Sequence, residues 1–96
     1  FIGSSPIRAY TENWETSRLV AHSKAAMEQI VAAGLPASFV TEDTTRSHPK
    51  TLDLLFRTAI EAGATRLVLC DTVGHATPDG LRNLLNFTKG LLRAMD

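Results

Sequence analysis

One stretch, residues 67–78, constrains the fold more than any other part of the chain; it reads Leu-Val-Leu-Cys-Asp-Thr-Val-Gly-His-Ala-Thr-Pro. Its apolar start, rich in Leu and Val, is typical of a strand buried on both faces in a parallel sheet. The strand ends at Asp71-Thr72, and Thr77 and Pro78 then supply an N-cap and a first helical residue. Polar side chains at the carboxyl end of a parallel strand are where α/β enzymes carry their chemistry. This stretch is therefore the leading candidate for a functional site.

The rest of the chain alternates between helical and strand patterns, in the order loop–α–β–α–β–α. Residues 1–6 are interpreted as the end of a strand and a loop, and a helix is predicted from about Glu15 to its C-cap at Gly34. A short strand over 37–41 follows, with the polar segment 42–47 at its carboxyl end. Ser47 or His48 is predicted to cap the next helix, which ends at Gly63, and the last helix follows the 67–78 stretch.

Successive strand–helix units of this kind predict a parallel sheet. Right-handed crossovers place the carboxyl ends of both strands, at Glu42 and Asp71, on the same edge of that sheet. Two or three strands cannot close a barrel, and helices on so small a sheet leave apolar surface uncovered. The pattern therefore favours an α/β fold that contains further strands.

Composition excludes several classes of function. Ten basic and ten acidic residues give a formal net charge of +0, which provides no basic surface for nucleic acid. No apolar run approaches the roughly 18 residues of a membrane span, and no signal peptide is visible. The single cysteine, Cys70, lies in the predicted strand 67–70 and is expected to be a reduced, buried thiol, which suits a cytoplasmic protein.

Two motifs resemble one enzyme family. Glu-Asp-Thr-Thr-Arg-Ser at 42–47, followed by Asp-Thr-Val-Gly-His-Ala-Thr-Pro at 71–78, is similar to the 2-isopropylmalate synthase and homocitrate synthase family. Residues 1–8 resemble the loop after that family's third strand. The resemblance implies a TIM (β/α)8 barrel, of which residues 1–96 would be an internal fragment of one catalytic domain covering about βα units 3 to 5.

The same resemblance implies an activity and its cofactors. The parent protein would be an acyltransferase that condenses acetyl-CoA with a 2-oxo acid, in amino-acid biosynthesis and as a homodimer. It would use a divalent metal (Mg²⁺, Mn²⁺ or Zn²⁺) whose ligands lie outside this chain, since the family's His-x-His pair is absent here. The isolated fragment is therefore expected to be inactive and to bind no metal tightly.

Site residues follow by matching positions to the family's motifs. Glu42 is predicted to be catalytic, orienting the 2-oxo acid or taking part in proton transfer. Three further residues are predicted to bind substrate: Thr72, His75 and Arg46. Two are predicted to support the loops: Asp71 by accepting backbone N–H bonds, and Asp43.

The residue patterns leave alternatives open at several of these positions. Glu42 could be a solvated loop acid, Thr72 a loop cap and His75 an exposed loop residue. Arg46 could be the ion-pair partner of Asp43, and Arg8, in the first loop, could attract carboxylates.

Two other functions also remain compatible with the sequence. One is a related carbon–carbon lyase or aldolase of the same superfamily, which shares the Asp-Thr-Val-Gly pattern. The other is a freestanding, non-enzymatic α/β binding module.

Among the synthases, homocitrate-synthase-like sequences carry an arginine four residues before the strand-end glutamate. Ser38 occupies that position here, which predicts a 2-oxo acid without a second carboxylate.

Overall fold

The computed structural model describes residues 1–6 and 15–95, and it contains a parallel sheet of three strands in the order β1–β2–β3. These strands are β1 (Ile2–Gly3), β2 (Ser38–Glu42) and β3 (Arg66–Leu69). In the ladder between β2 and β3, Val40 lies opposite Val68. The predicted parallel α/β arrangement is confirmed, and the interpretation of Arg8 lies outside the described residues.

Among the described residues, three α-helices alternate with the strands, and they begin and end close to the capping, proline and glycine residues that predicted them. They are α1 (Thr16–Ala32), α2 (Pro49–Glu61) and α3 (Pro78–Ala94). The N-cap of α2 is His48, whose Nδ1 accepts a hydrogen bond from the Lys50 N–H at 3.4 Å. A short 3₁₀ helix (Thr44–Arg46) lies between β2 and α2.

The core lies between the sheet and helices α1 and α2. Phe39 on β2 and Phe56 on α2 meet edge to face with their ring centroids 6.4 Å apart, and both are buried. Along β2, Phe39 and Thr41 are buried whereas Val40 and Glu42 are half-buried. Since successive strand residues point to opposite faces, Glu42 lies on the face of the sheet that is turned away from this core.

The expectation that the 67–70 strand is buried on both faces is wrong in this structure. Residues 67–69 of β3 are half-buried, and Cys70 is a partly exposed thiol that lies one residue beyond the strand. The reason is that β3 is an edge strand of the described sheet, and α3 covers it incompletely. Three apolar residues of α3 remain at least 40% exposed: Leu81, Leu85 and Leu92. Within the ranges described, no helix has the length and apolar content needed to cross a membrane.

Candidate functional site

The carboxyl ends of β2 and β3 lie side by side and are joined by a hydrogen bond. Glu42 is the last residue of β2, and the backbone N–H of the next residue, Asp43, donates to the Thr72 Oγ1 at 2.8 Å. The prediction that Glu42 and Thr72 lie at one edge of a parallel sheet is confirmed for the two neighbouring strands, although Thr72 lies in the loop after β3 and not on the strand itself. Thr72 Oγ1 accepts this bond, so the bond does not use the hydroxyl hydrogen of Thr72.

Asp43 connects the loops that follow β1 and β2. Its side chain is buried, and its backbone is left-handed, with φ 58° and ψ 41°. Asparagine and aspartate tolerate this conformation better than other residues with a Cβ. The carboxylate accepts two bonds from Arg46 Nε, at 2.9 and 2.8 Å, and a further one from Ser5.

The charge of Asp43 is matched by its neighbours. The hydrogen bond from Arg46 is the main cause that holds the pKa of the Asp43 carboxyl below its ordinary value, against the opposing effect of burial. The same contact raises the pKa of Arg46. Both groups are therefore charged at neutral pH. The structure thus places Arg46, predicted to bind substrate, in an ion pair with Asp43.

A second set of contacts lies beneath this edge and involves two buried threonines that the sequence analysis did not single out. Thr44 Oγ1 lies 2.6 Å from Thr41 Oγ1, donates to the Thr41 carbonyl at 2.8 Å and accepts from the Cys70 N–H at 2.9 Å. The Thr44 N–H donates in turn to the Cys70 carbonyl at 3.0 Å. A polar residue after a strand is usually solvated, so only its burial, at 1% exposure, reveals this role.

The loop after β3 is organised by Asp71. Its carboxylate accepts the backbone N–H of His75 at 2.9 Å and that of Ala76 at 3.1 Å, together with the Thr45 hydroxyl at 3.3 Å. The bond from the His75 N–H is the main cause that lowers the pKa of Asp71. Gly74 adopts a positive φ of 64°, which lets this short loop turn. The side chain of His75 is exposed.

A cavity of about 370 Å³ opens between the loops and the first turns of α2 and α3. His75 and Thr45 line it on the loop side, and Leu52, Leu84 and Phe87 line it on the helix side. Glu42 and Thr72 are not part of its lining. The two predicted site residues at the strand ends, Glu42 and Thr72, are therefore separate from this cavity, whereas His75, also predicted to bind substrate, lies in its lining.

The described residues do not fit a metal site. Within 1–6 and 15–95, no group of three or more His, Cys, Asp or Glu side chains is arranged to hold a metal ion. Asp43 and Asp71 are engaged instead by Arg46 and by backbone N–H groups. No chemical step can therefore be derived through a metal held by these residues alone.

A family model described as HMGL-like matches residues 1–94. The 2-isopropylmalate synthase of Nitratidesulfovibrio vulgaris is 32% identical over 88 residues, which cover 91% of this chain and 17% of the relative. That of Pyrococcus abyssi is 32% identical over 90 residues, 93% of this chain and 18% of the relative. A provisionally named (R)-citramalate synthase of Methanothermobacter thermautotrophicus is 46% identical over 52 residues, 54% of this chain and 10% of the relative.

The chain thus spans less than a fifth of the length of these relatives. The HMGL-like family is a family of TIM barrels, and the three parallel strands with their helices correspond to part of such a barrel. The match from residue 1 to residue 94 shows that this chain belongs to the HMGL-like family.

Proposed function

We propose that residues 1–96 form part of the catalytic barrel of a longer enzyme that condenses acetyl-CoA with a 2-oxo acid, in the manner of a 2-isopropylmalate synthase. Two relatives that match over nine-tenths of this chain carry that name. The proposal includes a divalent metal and the rest of the barrel, both supplied by residues outside this chain. It also includes a cytoplasmic homodimer whose ligands are small molecules.

The observation that carries the proposal is the arrangement of the two strand ends. Glu42 projects from the face of β2 that is turned away from the helical core, and Thr72 is joined to the neighbouring residue Asp43. In a closed barrel, the face opposite the helices lines the interior, and active sites lie at the carboxyl ends of the strands. A carboxylate and a hydroxyl at that position suit the binding and activation of an oxo acid.

The roles of these residues follow from the reaction class. The methyl carbon of the acyl-CoA loses a proton and attacks the keto carbon of the oxo acid, and hydrolysis of the thioester then releases the product. Thr72 donates its hydroxyl hydrogen to the substrate carboxylate without adding charge. Glu42 orients the keto substrate or takes part in proton transfer.

Uncovered apolar surface supports the inclusion of these residues in a larger barrel. β3 lies at the end of the strand order, so among the described residues its outer edge has no neighbouring strand. A groove of about 630 Å³ beside it is lined by β3 and by Leu81, Leu85 and Leu92 of α3. Contiguous apolar surface of this kind is rarely left open in a folded domain.

The experiment is to express the full-length protein that carries this segment and to follow the release of CoA from acetyl-CoA with 2-oxoisovalerate or pyruvate. Glu42→Gln should lower kcat by about 100-fold or more, because the carboxylate can no longer exchange a proton. Glu61→Gln, at the exposed end of α2, is the matched control and should leave kcat within twofold.

Three results would contradict the proposal. The first is an unchanged kcat in Glu42→Gln. The second is cleavage of a 3-hydroxyacyl-CoA without any condensation, which would favour the lyase alternative. The third is a sharp two-state unfolding transition of the isolated 96-residue chain without aggregation, which would favour a freestanding module.

A further inference from the structure

We propose that Thr44 is a positioning residue: from the buried side of the sheet, its hydroxyl fixes the backbone at Cys70 and thereby sets the position of Thr72 relative to Glu42. The inference rests on the proposed function, and it assigns a specific task to a residue that the resemblance leaves without one.

The first observation is that Thr44 continues the sheet past the end of β3. The regular ladder between β2 and β3 stops at the pair Thr41–Leu69. One residue further, Thr44 binds both backbone groups of Cys70, accepting from its N–H at 2.9 Å and donating to its carbonyl at 3.0 Å. Cys70 is two residues before Thr72, so the loop leaves the sheet in a direction that Thr44 determines.

The second observation is that the hydroxyl of Thr44 has no spare capacity. It donates its one hydrogen to the Thr41 carbonyl at 2.8 Å, so the 2.6 Å contact with Thr41 Oγ1 makes the Thr41 hydroxyl the donor. With the Cys70 N–H, this gives one bond donated and two accepted, which is the full complement of a hydroxyl. Both threonines are at most 1% exposed, so water cannot replace these bonds.

The third observation links this buried cluster to the strand-end pair. Asp43, between Glu42 and Thr44, donates its N–H to Thr72 Oγ1 at 2.8 Å. Two consecutive residues of one loop therefore hold the other strand end at two points, Cys70 and Thr72. A displacement of about 1 Å between catalytic groups can lower a rate by about 100-fold. Loss of the hydrogen bond between Thr44 and Cys70 should therefore impair catalysis, even though Thr44 itself lies on the core side of the sheet.

The test uses the full-length protein and separates the hydroxyl of Thr44 from its volume. Thr44→Val keeps the shape and removes the hydroxyl, and Thr44→Ser keeps the hydroxyl. Thr44→Val should lower kcat/KM for the 2-oxo acid by about 10- to 100-fold while the KM for acetyl-CoA stays within twofold. Thr44→Ser should stay within threefold of the unmodified protein.

A matched control comes from α3. Thr88 is also a buried threonine, but its hydroxyl donates to the Leu84 carbonyl at 2.9 Å within the helix. Thr88→Val should leave both kinetic constants within twofold. Hydrogen exchange provides a readout that does not depend on activity: Thr44→Val should accelerate exchange of the Cys70 amide by about tenfold or more, with no change in 49–61.

Each result decides the proposal. It is overturned if Thr44→Val keeps its kcat/KM within threefold, if Thr44→Ser is impaired as severely as Thr44→Val, or if exchange accelerates equally in 49–61. If the unmodified protein condenses no oxo acid, the proposed function fails. The Cys70 exchange in Thr44→Val and Thr44→Ser then still determines whether Thr44 fixes the strand end that leads to Thr72.

Discussion

Replacement of Asp43 by asparagine is expected to loosen the loop that joins the two strand ends. Asparagine has nearly the same shape and tolerates the left-handed conformation at φ 58°, so the backbone should not be strained. The change removes the negative charge that faces Arg46 Nε at 2.8 and 2.9 Å and replaces one of the two accepting oxygens by an N–H donor. Any effect can therefore be attributed to the contacts that the carboxylate makes with Arg46 and Ser5.

The size of the effect follows from the exposure of the two partners. The side chain of Asp43 is 7% exposed and that of Arg46 33% exposed, so the contact is partly shielded from water. Hydrogen bonds between charged groups are roughly twice as strong as neutral ones. Water screens the charge on the exposed side of Arg46 and weakens the contact. With this allowance, we expect the fraction of molecules in which segment 42–47 is locally open to rise about tenfold in Asp43→Asn.

Native-state hydrogen exchange of segment 42–47 in the full-length protein measures this open fraction. The control is Asp53→Asn in α2, where Arg57 Nε lies 3.1 Å from both carboxylate oxygens. Because those two side chains are 42% and 41% exposed, the same change should alter exchange there by about twofold or less. Equal effects at Asp43 and Asp53, or no effect at Asp43, would refute this reasoning.

Three further outcomes are expected. The folded-state pKa of Asp43 lies below its ordinary value of 3.8. The stabilisation of the loop by the charged carboxylate is therefore fully present above about pH 4 and is lost as the pH falls through the lowered pKa. Consequently, hydrogen exchange of segment 42–47 should be faster in Asp43→Asn than in the unmodified protein at pH 5, and this difference should shrink as the pH is lowered to 2.5. A ratio of the two exchange rates that stays constant would contradict this. Ser38→Arg, on the same face of β2 as Glu42, should raise kcat/KM for 2-oxoglutarate relative to 2-oxoisovalerate about tenfold or more; an unchanged ratio would contradict the inferred site. In a denaturant titration, Gly63→Ala should lower the free energy of unfolding by about 1–2 kcal/mol, because φ is +107° there and the new Cβ would lie 2.8 Å from Val31 Cγ2. Gly90→Ala, inside α3 and in open space, should be neutral or stabilising in the same titration.

Local signals in the sequence were sufficient to predict the elements and the edge of the sheet. Thr77 and Pro78 predicted the start of α3 because the N-cap hydroxyl accepts from an otherwise unpaired N–H of the first turn, and proline at the first helical position has no N–H to leave unpaired. The strand–helix order predicted that Glu42 and Thr72 share an edge, since right-handed crossovers allow little else.

The connections within the site could not be predicted from the sequence, because they depend on geometry between segments distant in the chain. The left-handed backbone of Asp43 and the burial of Thr44 arise from contacts with Thr72 and Cys70, 29 and 26 residues away. The exposure of Cys70 was mispredicted for a related reason. An apolar run indicates a strand, but only the sheet order shows that this strand lies at an edge.

A double-mutant cycle on Glu42 and Thr72 in the full-length protein tests the central claim most directly. Glu42→Gln and Thr72→Val are assayed singly and together for condensation of acetyl-CoA with the 2-oxo acid. If both side chains act on one bound substrate, each single change should lower kcat/KM, and the double variant should lose little more than the worse single variant. Losses that multiply in the double variant, or a single variant that retains its full kcat/KM, would contradict the assignment of both residues to one active site.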